Sequence, residues 1–210
     1  MPRIVNSPTR LYLVRHAEVE VRYQRVFGGR IDMELSPRGH VQASALANYM
    51  QRIPLDAIYT SPMRRVQQTL KPLAAHHAIT ATVVDDLREV DFGVWTGLSW
   101  DQVHERYQIR AFDWLEKLEQ KLIPDAESTE RFKERIEPCL RRILCECPGQ
   151  SVAVVCHGGV IRMLLAILLD LPIRKMAGFE IEYASLTLID CMAHKAEIQL
   201  LNFVPWRDWP

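Results

Sequence analysis

The 210-residue chain is 48% apolar and 25% charged, the balance of an ordinary globular protein, and its length suits one domain spanning residues 1–210. Its 26 basic and 26 acidic residues cancel, so bulk charge gives no reason to expect nucleic acid or an anionic membrane as partner, and any anion site must be local. The opening Met1 to Arg10 lacks an apolar core of signal-peptide length, and the greasiest run, Met163 to Leu169, falls far short of the ~18 residues that span a bilayer, so a soluble, cytoplasmic protein is expected.

In chain order, Leu11 to Val14 is an apolar run that reads as a buried strand, ending on Arg15 and His16. Val19 to Asp32 is an irregular stretch with Arg22, Tyr23, Phe27 and the pair Gly28-Gly29, a candidate wall for a site at the strand's carboxyl end. Ser36 as N-cap and Pro37 at the first position open a helix with Val41, Ala45, Leu46, Tyr49 and Met50 at helical spacing. Ala57 to Thr60 reads as a short strand, and Ser61-Pro62 as the start of a second helix bearing Arg64 and Arg65. A third strand is expected over Thr80 to Asp85, before Glu89 and the turn-rich Asp91 to Gly97.

Apolar residues at helical spacing from Trp100 to Leu122 predict one or two helices, broken by Pro124. Ser128 to Cys147 resumes the pattern until Pro148-Gly149. Ser151 to Cys156 is the clearest central strand, and it runs through His157-Gly158-Gly159 into a helix over Val160 to Leu169. At that junction backbone amides and the helix dipole can meet an anion. Ala184 to Cys191 and Glu197 to Phe203 predict an edge hairpin, and the tail with Trp206 and Trp209 is expected to pack back on its own core or across a homodimer contact. Cysteines 139, 145, 147, 156 and 191 form no disulfide framework, and Cys145-x-Cys147 lacks the second ligand pair of a zinc site.

The alternation of strands and helices predicts an α/β fold in three layers, a mostly parallel sheet with helices on both faces. Such a sheet would gather Arg15, His16, Arg65 and His157 at its carboxyl edge. That set suits a phosphoryl group: arginines hold it bidentately, one histidine attacks phosphorus and the other donates to its oxygens.

Four motifs in order then meet a family. Arg15-His16-Ala17-Glu18 resembles the Arg-His-Gly-Glu signature of the histidine phosphatase (phosphoglycerate-mutase-like) superfamily, and Ser61 to Thr69 its Ser-Pro-Leu-x-Arg-Ala-x-Gln-Thr motif. Leu87-Arg88-Glu89 with Phe92 to Gly97 is similar to the proton-donor segment, and Val155 to Arg162 to the late histidine motif. Leu35 to Gly39 and Glu127-Ser128 fit as well. The resemblance implies His16 as nucleophile forming a phosphohistidine, Glu89 as acid and then base, and Arg15, Arg65 and His157 as the phosphate clamp. It implies no metal and no cofactor.

A neutral His16 is needed for attack, and the adjacent arginines disfavour its cation. Gly28, Gly158 and Arg22 are further substrate-binding candidates, and Glu127, Phe27, Trp95 and Trp114 candidate wall residues. Arg22 stands where the mutases have a phosphate-touching asparagine, and could grip a second anionic group or lie in solvent. Ala17 replaces the usual glycine, and Val19 a serine or threonine whose hydroxyl could reach phosphate. Gly97 passes directly to Trp100-Asp101-Gln102 without the basic insertion of the cofactor-dependent mutases. The compact form resembles the α-ribazole and broad-specificity phosphatases, which implies hydrolysis of a small phosphorylated metabolite. Mutase-type phosphoryl transfer and a non-catalytic phospho-ligand binding module are the alternatives.

Overall fold

The structure, a computed structural model, describes residues 7–209; residues 1–6, part of the opening stretch, and Pro210 of the tail lie outside them. Its core is a six-stranded sheet built from β1 (Thr9–Arg15), β2 (Ala57–Thr60), β3 (Thr82–Val83), β4 (Ser151–Cys156), β5 (Leu186–Cys191) and β6 (Ala196–Phe203). The order is β3-β2-β4-β1-β5-β6, with the first four parallel and the last two antiparallel, which is the mostly parallel sheet with a late hairpin expected above.

Burial on both faces explains the apolar strands. Tyr12, Val14, Ala153 and Val155 pack against α1 (Pro37–Met50) and α2 (Arg64–His77), whereas Leu11, Leu13, Val152 and Val154 face the core of α5 (Thr129–Glu146) and α6 (Gly158–Leu168). Successive side chains point to opposite faces, so one sequence run supplies both cores. The result is three layers. No helix among the described residues is long and apolar enough to cross a membrane.

Two elements differ from expectation, and a third divides into the two helices its spacing allowed. The third strand shrinks to two exposed edge residues, because the chain turns at once into a 3-10 helix, Asp85–Leu87, that buries Leu87. The span from Trp100 divides into α3 (Trp100–Tyr107), a 3-10 turn Ala111–Asp113 and α4 (Trp114–Glu119), parted by Gln108 in the left-handed conformation. The second helix begins at Arg64, not at Ser61-Pro62: the Ser61 amide extends the ladder to the Val155 carbonyl, and Asp32 Oδ1, from a distant loop, accepts from the Arg64 amide at 2.7 Å. A tertiary partner thus supplies a cap the local sequence lacks. The tail packs back as expected, in α7 (Pro205–Asp208): Trp206 Nε1 donates to the Tyr183 carbonyl and the Trp209 ring meets Tyr49 at 5.5 Å.

Candidate active site

Strand register creates the site. Arg15 on β1 pairs with Cys156 on β4, so the residues one step on, His16 and His157, emerge side by side with ring centroids 5.3 Å apart. Thr60 pairs with Val155, which places Ser61 at the same edge. A cavity of about 450 Å³ opens there, lined by Arg15, His16, Arg65, Glu89, Gly158 and Arg162 among others.

His16 is 5% exposed. Its Nδ1 lies 2.8 Å from the Ala17 carbonyl, so that nitrogen carries the proton and Nε2 keeps its lone pair. Arg65 Nε donates to that Nε2 at 3.2 Å. Burial, more than the adjacent Arg65 and Arg15, holds the imidazole pKa well below its ordinary 6.5, so His16 is neutral. The arginines, expected from the sequence to disfavour the cation, come second to burial.

Arg65 is fixed by the loop that precedes α1. Its Nη1 donates to the Ile31 carbonyl at 2.8 Å and its Nη2 to the Gly29 carbonyl at 3.0 Å. Gly29 has φ +44°, and a Cβ there would meet the Val90 carbonyl and the Phe92 ring within 3.3 Å, so glycine suits the turn that aims its carbonyl. Burial lowers the Arg65 pKa to about 10, which leaves it charged at neutral pH. Arg15 donates through Nη1 to the Ile181 carbonyl at 2.5 Å and stacks on Tyr183, 4.1 Å from the ring centre, while its buried Nε has no partner.

His157 has no exposed surface and sits behind the cavity wall. Its Nε2 lies 2.9 Å from Ser61 Oγ, and its Nδ1 has no partner. Burial again, ahead of Arg65, keeps this ring neutral. Glu89 reaches the cavity from the segment after β3, and its carboxylate accepts from the Val90 amide at 3.0 Å and the Gly159 amide at 3.1 Å. The anion that meets the head of α6 is therefore the Glu89 carboxylate, on the Gly159 amide, and both Gly158 and Gly159 line the cavity.

Of the other candidates, Gly28, Phe27 and Trp114 line the cavity and Trp95 does not, being fully buried in the core. Arg22 is not brought in: its side chain is 69% exposed and paired with Glu20 at 3.0 Å. Glu127 also lies outside that wall, in a bidentate pair with Arg135. Ala17 is fully buried, with its amide donating to Thr69 Oγ1, and Val19 presents an apolar side chain to the cavity where the family pattern has a hydroxyl.

Four contributors went unread in sequence. Ser61 and Arg162 lie inside the motifs above, but their roles depend on partners beyond their own motif: Ser61 meets His157, and Arg162 donates to the carbonyls of Met176 and Phe179 as well as Gly158. Arg135 looked like any charged residue on an amphipathic helix. Tyr183 precedes β5 in a loop without a motif.

A putative phosphoserine phosphatase of Hydrogenobacter thermophilus is 30% identical over 92% of this chain and 95% of its own. An adenosylcobalamin/alpha-ribazole phosphatase of Salmonella typhimurium is 27% identical over 92% and 96%. A bifunctional protein of Mycobacterium tuberculosis is 33% identical, and the chain spans only 54% of its length. Among solved structures, a mycobacterial glucosyl-3-phosphoglycerate phosphatase superposes with TM-score 0.81 at 25% identity over 93% of this chain and 99% of its own. Residues 11–204 match the description "Histidine phosphatase superfamily (branch 1)", and with the fold and site above this chain belongs to that superfamily.

Proposed function

We propose that this histidine phosphatase hydrolyses a small phosphorylated metabolite through a phosphohistidine on His16, without a metal ion. The observation that carries the reading is the state of His16: neutral, with its proton fixed on Nδ1, and with Nε2 turned to Arg65 at the cavity. On binding, a phosphoryl oxygen takes the Arg65 Nε–H from His16 Nε2, whose freed lone pair attacks phosphorus as the bond to the leaving oxygen breaks, and Glu89, in its protonated form, gives that oxygen its proton. Water then attacks, Glu89 takes its proton, and the P–N bond breaks to release phosphate.

Arg15 and Arg65 meet the charge spread over the equatorial oxygens, and the unpartnered Nε of Arg15, which lines the cavity, is a donor a phosphoryl oxygen would satisfy; His157 Nδ1, also unpartnered but without exposed surface, would join the clamp once bound phosphate displaces the wall in front of it. Ser61 Oγ–H donating to His157 Nε2 would leave the ring's proton on Nδ1, the tautomer that this donation needs. The cavity volume and its aromatic wall of Phe27, Trp100, Phe112 and Trp114 suit a metabolite-sized ester, which is also the class named for the relatives.

Purified protein should hydrolyse p-nitrophenyl phosphate in EDTA, and His16→Ala should abolish it. With 3-phosphoglycerate and 2,3-bisphosphoglycerate the only phosphoryl product should be inorganic phosphate. An inactive wild type, activity lost to EDTA, or rapid formation of 2-phosphoglycerate would each overturn the reading.

A further inference from the structure

Glu89 stands on a segment with little secondary structure of its own, two residues beyond a single 3-10 turn. Yet an acid that must hand a proton to one oxygen has to be held to a fraction of an ångström. The restraint comes from α5. Arg135 Nη1 donates to the carbonyls of Asp86 and Arg88, the latter at 2.8 Å, and its Nη2 to the carbonyl of Glu89 itself at 3.3 Å.

The other side of the same guanidinium is locked. Nε and Nη2 donate to the two Glu127 oxygens at 2.6 and 2.9 Å, and both side chains are nearly buried, 14% and 10% exposed. The guanidinium carbon lies 4.6 Å from the ring centre of Phe132, one turn back on α5 and itself fully buried. Glu127 also accepts from the Asp91 amide at 3.4 Å, so the pair grips the segment on both sides of Glu89.

We propose that Arg135, oriented by Glu127, is a positioning residue for the proton donor: it fixes the backbone of Asp86 to Asp91 and thereby aims the Glu89 carboxyl at the leaving oxygen. A lysine would keep the charge but could not fork across several carbonyls and a carboxylate together. This role rests on Glu89 being the acid.

The leaving group provides a readout that general damage to the fold would not move. An ester of an acidic phenol departs without a proton, whereas phenyl phosphate needs one. kcat/KM is compared for 2,4-dinitrophenyl phosphate and phenyl phosphate in wild type, Arg135→Met, Arg135→Lys, Glu127→Gln and Glu89→Gln. Glu89→Gln should lose on the order of a hundredfold on phenyl phosphate and little on the dinitrophenyl ester. Arg135→Met should show the same selective loss, at least about tenfold, with Arg135→Lys between it and wild type. Glu127→Gln, which keeps an uncharged acceptor beside Arg135, covers the case in which Arg135→Met does not fold, and should show a smaller loss of the same selectivity. Selectivity in Glu89→Gln without any in the Arg135 and Glu127 variants would overturn the positioning role alone. Equal effects on both esters in Glu89→Gln would overturn the acid assignment and the positioning role with it.

Discussion

Gly159→Ala is the sharpest perturbation this site offers. A Cβ built on Gly159 would lie 2.4 Å from Glu89 Oε1 and 3.1 Å from its carboxyl carbon, against the roughly 3.4 Å of ordinary contact. The obstructing atoms are the end of a flexible side chain, so the carboxylate yields and the helix does not. Gly159 is the second residue of α6 and is not among the positive-φ glycines, so alanine fits the backbone, and its helix-propensity gain of up to about 1 kcal/mol offsets the weakened 3.1 Å bond from the Gly159 amide to Glu89, leaving stability about neutral. The carboxylate, however, must move by about 1 Å, and a displacement of that size in a catalytic group costs on the order of a hundredfold in rate. The expected outcome is a nearly unchanged Tm with kcat/KM for phenyl phosphate lowered about a hundredfold. Near-normal hydrolysis by Gly159→Ala would refute the claim that Glu89 works from this position, and a clearly lowered Tm would refute the claim that only the carboxylate yields.

Two further predictions follow from the buried histidines. His16 and His157 are held neutral in the folded state below their ordinary 6.5, so as pH falls below 6.5 the unfolded chain takes up protons that the folded chain refuses. Stability is therefore full above pH 6.5 and declines below it, each ring adding a slope of about 1.4 kcal/mol per pH unit; denaturant titrations from pH 7 to 5 should show a clearly shallower decline in His16→Asn, and an identical slope would contradict the assignment. Ser61→Ala leaves His157 Nε2 buried without its 2.9 Å partner, which should cost about 1–3 kcal/mol of stability and weaken inhibition by inorganic phosphate. Unchanged phosphate inhibition would separate Ser61 from the clamp.

Much of the site was legible because its residues sit at the ends of strands. The apolar run before Arg15-His16 and that before His157 are buried on both faces, and the residue after such a strand must emerge at the sheet's edge, so Arg15, His16 and His157 could be placed from pattern and motif together. Arg65 and Glu89 depended on the motifs they stand in, since neither local run orients a side chain. Arg22 and Trp95 misled because composition does not aim a residue: one exposes its charge beside Glu20, and the other fills the core.

What the sequence by itself determined is the layered α/β architecture and the edge at which Arg15, His16, Arg65 and His157 gather, because periodicity and strand termini are local properties; the roles proposed for those residues rest on the motifs they stand in. What tertiary structure alone decided is how those groups are held. The cap on α2, the carbonyls that chelate Arg65, the Ser61 contact to His157 and the grip of Arg135 and Glu127 on the Glu89 segment all join residues dozens of positions apart. Burial, which decides the charge of His16 more than its arginine neighbours do, exists only once the layers have closed over it.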